Sequence, residues 1–292
     1  MQHLGREALR CSRVIKSPRT GRVMSRINAL PPSDCDLTQL DAAPRAAWHR
    51  VESAPRALAF AARYRDQRAP HWTARLQLQQ MYAAQSKMSL LDTDTARLLF
   101  RAVGLRNPAT LLDVGAGPGH ITLQLSPLFQ RVSATEQSWP CARALRRLGF
   151  EVAHGPDIGF ARGRTFDVVS LLNVLDRCAD ADGLLKQCAG RLANAESRLV
   201  VALRLPVDAY QLHWNDTATP QSAPLPASVL AAETWEAGAN AFARHVSCVT
   251  GLKLEVLSRI PYLALAQGPD RPNDLFYALD DAVFIFKPEA SA

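Results

Sequence analysis

The sequence predicts an α/β fold, a largely parallel sheet with helices packed on it and a helical segment ahead of it. Three observations carry this expectation. After Asn107-Pro108, short apolar runs alternate with helical patterns, as βαβ units require. A glycine-rich turn, Gly115–Gly119, joins the first of those runs to a helix-like stretch. Finally, 48% of the 292 residues are hydrophobic, enough for one sizeable core with room for an appended segment.

Residues 1–33 read as unstructured, ending at Pro31-Pro32. From about Leu37 to Leu105 the pattern is helical, with Trp72–Ala84 and Thr93–Val103 the clearest helices. Asp92 stands where a side chain can cap the second of them. The strand-like runs that follow are Thr110–Val114, Val132–Thr135, Val152–Ala153, Val168–Leu172 and Leu199–Leu203. Cys141–Leu148 and Gly183–Leu192 lie between them as helices. Leu252–Leu257 and Ala282–Phe286 read as two further strands forming an antiparallel edge. The stretch from Pro206 to Pro226, rich in proline and carrying His213, Trp214 and Asn215, reads as a long surface loop. Loops of that length inside compact domains are usually functional or disordered. The expected organisation is therefore a tail over 1–33, a helical extension over 34–105 and an α/β domain over 106–292.

The formal charge of +7 is unevenly placed. Arg6, Arg10, Arg13, Lys16, Arg19, Arg22 and Arg26 face only Glu7 in the first thirty-odd residues. The basic excess is assigned to a tail rather than to a nucleic-acid-binding face. That tail is Arg-rich, Ser-containing and acid-poor, resembling a mitochondrial presequence, and it lacks the apolar stretch of a secretory signal. A cytoplasmic or mitochondrial location is expected, and a monomer. No apolar run reaches the length that spans a bilayer. The six cysteines are widely spaced with no Cys-x-x-Cys pair, so they read as free thiols rather than as disulfides or a zinc site.

Leu111-Leu112-Asp113-Val114 is a buried-strand run with an acid near its end, and Gly115-Ala116-Gly117-Pro118-Gly119 follows at once. Glycines let the backbone take positive φ and pass close to a ligand. The helix that begins near His120 offers free N–H groups. In open α/β sheets, ligands sit at the carboxyl ends of the strands, where this loop falls. A generic tight turn and a dinucleotide site are the alternatives. Two features favour S-adenosyl-L-methionine: the spacing is GxGxG rather than GxGxxG, and Asp113 precedes it. Glu136 ends the next strand, where an acid would accept the ribose hydroxyls, although NAD folds place an acid similarly. Asp157, after the third strand, falls where an adenine-contacting residue can sit, or is a solvated loop acid. The cofactor set is thus Asp113, Gly115, Ala116, Gly117, Glu136, Asp157 and Asn173.

Four segments carry a more specific resemblance: Ala134-Thr135-Glu136, Leu172-Asn173-Val174-Leu175-Asp176-Arg177-Cys178, Arg259-Ile260-Pro261-Tyr262-Leu263, and Leu279-Asp280-Asp281-Ala282-Val283-Phe284-Ile285-Phe286-Lys287-Pro288. Together they resemble the DREV-type branch of the seven-strand methyltransferases, over roughly Gln85 to Pro288. The resemblance implies a Rossmann-like class I sheet of seven strands with helices on both faces. It also implies methylation of the pros nitrogen of histidines in His-x-His sequences of proteins. In the family pattern an acid stands at the position of Pro118 and another at that of His120.

Neutral imidazole carries one N–H and one free lone pair, so a carboxylate accepting the N–H selects the tautomer and stabilises the developing imidazolium. The resemblance gives this role to Asp176, with Asn173 positioning the ring or the peptide. Such a charge-assisted hydrogen bond contributes about 1.5–3 kcal/mol, roughly one to two decades of rate. Asp176 could instead pair with Arg177 or cap the following helix. Arg177 and Cys178 read as structural. Asp280 and Asp281 also read as structural, because neighbours on a strand point to opposite faces. Tyr262 and Tyr277 are candidates to line the peptide site, or half-buried core aromatics. The alternative functions are a methyltransferase with another acceptor, or a catalytically silent methyltransferase-like binding module, which Pro118 and His120 keep open.

Overall fold

The computed structural model describes residues 15–16, 23–24, 35–51, 90–155, 158–161, 163–207, 225–266 and 275–289. The expected helix at Trp72–Ala84, nearly all of the Pro206–Pro226 loop and most of the tail lie outside the described residues. Within the tail, the backbone of Ile15–Lys16 pairs antiparallel with Val23–Met24, a local ladder that the sequence reading did not anticipate.

Seven strands form the main sheet: β1 (Thr110–Val114), β2 (Arg131–Glu136), β3 (Glu151–His154), β4 (Val168–Leu172), β5 (Arg198–Arg204), β6 (Lys253–Ala266) and β7 (Leu275–Lys287). Their order is β3-β2-β1-β4-β5-β7-β6. The first five are parallel. β7 runs antiparallel to both β5 and β6. This is the expected seven-strand sheet, with parallel neighbours on both sides of β1. The last two strands are antiparallel as expected, but β7 is inserted inside the sheet and β6 alone forms the edge.

Both faces are covered because the central strands alternate between two cores. Leu112, Leu199, Val201, Leu203, Phe284 and Phe286 enter one; Leu111, Val200, Ala202, Val283 and Ile285 enter the other. The first core is closed by α5 (Ala181–Ala189) and α7 (Trp235–Thr250), and the second by α2 (Thr93–Ala102). Helices α1 (Ala42–Ala46), α3 (His120–Leu125), α4 (Trp139–Arg147) and α6 (Ala227–Leu230) complete the set named here. Phe242 of α7 packs against Phe284 of β7 with ring centroids 5.0 Å apart.

Helix α7 is the element the sequence reading passed over. Its limits are nonetheless written in the chain. The Thr234 hydroxyl accepts from the Ala237 N–H at 3.1 Å, and Gly251 ends the helix at φ 73. Helix α2 falls where expected, and Asp92 does cap it, accepting from the Thr95 N–H at 2.7 Å. Asp92→Ala should therefore destabilise the protein by about 1 kcal/mol, read as a lowered urea midpoint at constant slope. An unchanged midpoint would show that the cap contributes nothing.

Residues 35–51 lie against the edge of the sheet. The Leu257 N–H donates to Ala47 O at 2.6 Å and the His49 N–H to Leu257 O at 2.7 Å, so this segment covers part of the β6 edge. The Trp48 and Trp235 rings meet edge to face at 6.0 Å. No helix among the described residues is long and apolar enough to cross a membrane.

Candidate functional site

Parallel strands bring their carboxyl ends to one edge, and there the loops after β1, β2 and β4 converge. The antiparallel direction of β7 brings its first half to the same edge, where Asp281 lies opposite Arg204, the last residue of β5. β6 and β7 continue as a two-stranded arm past that point, as far as Ala266 opposite Leu275. Tyr262 and Tyr277 belong to this arm, opposite Leu279 and Ala264 respectively; their side chains lie outside the described residues. So does Asp157.

The glycine loop is held by backbone positions only glycine adopts readily, with φ 69 at Gly115, 58 at Gly117 and 90 at Gly119. The Gly115 N–H donates to the Thr135 hydroxyl at 3.2 Å and the Ala116 N–H to Thr135 O at 3.0 Å. Glu136 ties the loops after β1 and β2 together, because its carboxylate accepts from the Gly117 N–H and from the Ser138 N–H, both at 2.7 Å. A Cβ at Gly115 would lie 2.7 Å from a methyl of Val174, so the loop after β4 presses directly on the glycine loop. A Cβ at Gly117 would meet no protein atom within 4 Å. Its φ of 58 calls for a glycine there, and no atom of the described residues fills the space beside it.

Asp113 sits behind the loop. It is 2% exposed, and its two carboxylate oxygens accept from the Thr122 hydroxyl at 2.6 Å and the Ser170 hydroxyl at 2.7 Å. The embedded acid thereby joins β1 to α3 and β4. Burial pushes its carboxyl up to about 6, against the two hydroxyl bonds that favour ionisation, with the nearby Glu136 charge adding to the rise.

After β4 the two most specific motifs of the chain meet. Asn173 has φ 58, uncommon for a residue with a side chain, and its N–H donates to Ala202 O of β5 at 3.0 Å. Its Nδ2 donates to Asp281 Oδ2 at 2.6 Å. Asn173 Oδ1 and Asp281 Oδ1 are buried and have no hydrogen-bond partner among the described residues. Asp176 is fully buried, and both its oxygens take the Arg177 guanidinium, at 3.1 Å from Nε and 2.9 Å from Nη2. The pairing with Arg177 weighed from sequence is the one observed, and the carboxylate is not open to solvent.

Asp281, read from the sequence as structural, is a candidate site residue by its position. Neighbouring Asp280 binds Arg259, which also reaches Glu236 at 3.3 Å and lies over the Trp235 ring at 5.1 Å. The two acids do part to different partners, as strand geometry requires. Asp281 nevertheless belongs to the carboxyl edge and not only to the core. The signal available was its place in an antiparallel strand whose start returns to that edge. Burial pushes its carboxyl up to about 7, against the Asn173 bond and the Arg204 charge.

The arrangement combines a glycine loop open to a ligand, an acid bridging two loop N–H groups, and buried acceptor oxygens beside them. Solved structures of similar shape include the N-methyltransferase NodS from Bradyrhizobium japonicum WM9 in complex with S-adenosyl-L-homocysteine, at 17% identity over 66% of this chain and 84% of that one, with a TM-score of 0.43. A precorrin-6y C5,15-methyltransferase from Geobacter metallireducens is 11% identical over 67% of this chain and 88% of that one, with a TM-score of 0.41. An S-adenosylmethionine-dependent methyltransferase from Clostridium acetobutylicum is 11% identical over 68% and 91%, with a TM-score of 0.38. Likenesses this distant have no bearing on cofactor or acceptor. The model of the DREV methyltransferases, by contrast, matches residues 82–288, which include the glycine loop, Glu136, the Asn173–Cys178 segment and Asp281, and the chain belongs to the DREV methyltransferase family.

Proposed function

We propose that this chain transfers a methyl group from S-adenosyl-L-methionine to the pros nitrogen of a histidine in a His-x-His segment of a protein. When bound, the cofactor supplies a methyl group already activated for attack by a neutral nitrogen. Gly115, Ala116 and Gly117 form the bed for its amino-acid end. Glu136 would accept its ribose hydroxyls. Asp113, spent on Thr122 and Ser170, acts as a positioning residue behind the loop. Asp157 remains the proposed adenine contact, and Tyr262 and Tyr277, on the arm above the edge, the proposed walls of the peptide site.

The observation that carries the acceptor assignment is the buried Oδ1 of Asn173, just after β4, which has no hydrogen-bond partner among the described residues. An acceptor oxygen left without a donor in a buried place costs folding free energy, typically about 1–3 kcal/mol. An imidazole N–H satisfies it and leaves the opposite nitrogen with its lone pair free to attack. Asp176, tied to Arg177 through both its oxygens, acts as a positioning residue that holds the loop carrying Asn173. Most of the remaining acceleration comes from alignment of nucleophile and methyl group.

Incubation with methyl-labelled cofactor and matched peptides, one containing His-Ala-His and the other Ala-Ala-Ala, tests the reading. Label should enter only the first; equal label in both, or none in either, removes the histidine assignment. Asp176→Asn should keep cofactor affinity and lower turnover, because it weakens the Arg177 pair that holds the loop carrying Asn173. A variant as fast as the parent would remove that role.

A further inference from the structure

Two segments 108 residues apart meet in one side-chain contact, Asn173 Nδ2 on Asp281 Oδ2 at 2.6 Å. Each partner is held by its own backbone. Asn173 is fixed in a left-handed conformation by its N–H on β5, and Asp281 is locked between Arg204 of β5 and Ile260 of β6 in the ladder. Neither side chain is appreciably exposed, at 5% for Asn173 and 0% for Asp281. An ionised carboxylate can only accept, so it binds the NH2 end of the amide and leaves the amide oxygen as the atom offered to a third group. A protonated carboxyl can donate to the amide oxygen instead, which reverses the amide and offers N–H.

We propose that Asp281 is a positioning residue that sets which end of the Asn173 amide meets the acceptor, so that the site admits a group arriving with N–H and turns away one arriving with a lone pair at that point. The inference rests on the histidine reading above and deepens it: Asp281, through Asn173, selects the imidazole tautomer whose pros nitrogen is free. The groups that act on Asp281 are Asn173 and Asp176 with Arg177 after β4, and Arg204 at the end of β5; β6 contributes the apolar Ile260. Burial outweighs the rest, so the carboxyl loses its proton near pH 7 and the amide is set in its accepting orientation above that.

The test uses the whole chain, S-adenosyl-L-methionine and the His-Ala-His peptide. Two deprotonations should govern the acid limb of kcat/KM, that of the peptide imidazole and that of Asp281, giving a slope approaching two on logarithmic axes. Asp281→Asn should remove one of them and lower turnover at pH 8 about tenfold. Since Asp281 acts through Asn173, the double variant Asn173→Ala with Asp281→Asn should be no slower than Asn173→Ala alone. A readout free of turnover is the NMR signal of the Asn173 side-chain amide, which should titrate near pH 7 in the parent protein. An amide that does not titrate, or an acid limb of the same slope in parent and Asp281→Asn, overturns the proposal. A titrating amide in a protein that methylates neither peptide supports the coupling and overturns the histidine reading alone.

Discussion

Gly115→Ala should raise the cofactor dissociation constant about thirtyfold or more, the largest single effect expected of any substitution at this site. Two costs combine. At φ 69 an L side chain sits in the left-handed region, which costs about 1–2 kcal/mol. Its Cβ would also stand 2.7 Å from Val174 Cγ2 and 3.3 Å from Cγ1, so something must move. Val174 is β-branched and stiff at χ1, and it follows Asn173, whose backbone is pinned to β5. Relief by the neighbour is therefore poor, and overpacking adds about 1–3 kcal/mol. The loop would yield instead, drawing the N–H groups of Gly115, Ala116 and Gly117 out of register with the cofactor. Gly104→Ala is the control, because φ there is 74 but no atom lies within 4 Å of the added Cβ. It should cost some stability and leave cofactor binding alone. Calorimetry on both variants decides the matter: a Gly115→Ala protein that binds the cofactor like the parent would remove the loop from the binding site.

The parts of this molecule legible in the sequence are those whose signal is local. The runs at β1 and β4 are buried on both faces and read as short, mainly apolar stretches, each with one embedded polar residue, Asp113 or Ser170, inside it, and their limits agree with the structure to the residue. Asp92 and the start of α3 were likewise visible, since caps and glycine turns are short-range devices. Of strands β6 and β7, only the apolar halves are legible as strands in the sequence. Their continuations carry Ser258, Arg259, Pro261, Asp280 and Asp281, which look like loop residues until the two strands are seen to sustain each other by backbone bonds. The long helix α7 carries only the cap signals Thr234 and Gly251 and no motif of its own. The candidate site divides in the same way. Glu136 and Asn173 could be placed by following strand ends. Pairing Asn173 with Asp281 requires knowing that β7 inserts antiparallel beside β5, a fact about chain topology that no spacing in the sequence encodes. The same holds for Asp113, whose two hydroxyl partners come from α3 and β4.

Asp281→Asn should also reshape the dependence of folding stability on pH, by an amount comparable to the net stability of many domains. The folded-state carboxyl is raised from 3.8 to about 7, chiefly by burial, so the native protein prefers the protonated form. Stability from this group is therefore fully present below about pH 4 and is lost as pH rises through about 7. Asparagine keeps the shape and the neutral state at every pH. The stability of Asp281→Asn relative to the parent should thus climb between pH 4 and pH 8, by on the order of 4 kcal/mol for a shift of about three units. Asp113, raised to about 6 by the same cause, should behave likewise in Asp113→Asn over a smaller range. Urea unfolding of parent and variant at several pH values gives the difference directly, and groups that titrate alike in both proteins cancel from it. A difference that stays flat from pH 4 to pH 8 would mean that Asp281 is ionised throughout, and the amide of Asn173 would then have one orientation at every pH. A rising difference would instead mean that the folded protein carries a destabilising charge at neutral pH. Such a cost, retained at a position where asparagine fits the same space, is the expected mark of a site held for function at the expense of stability.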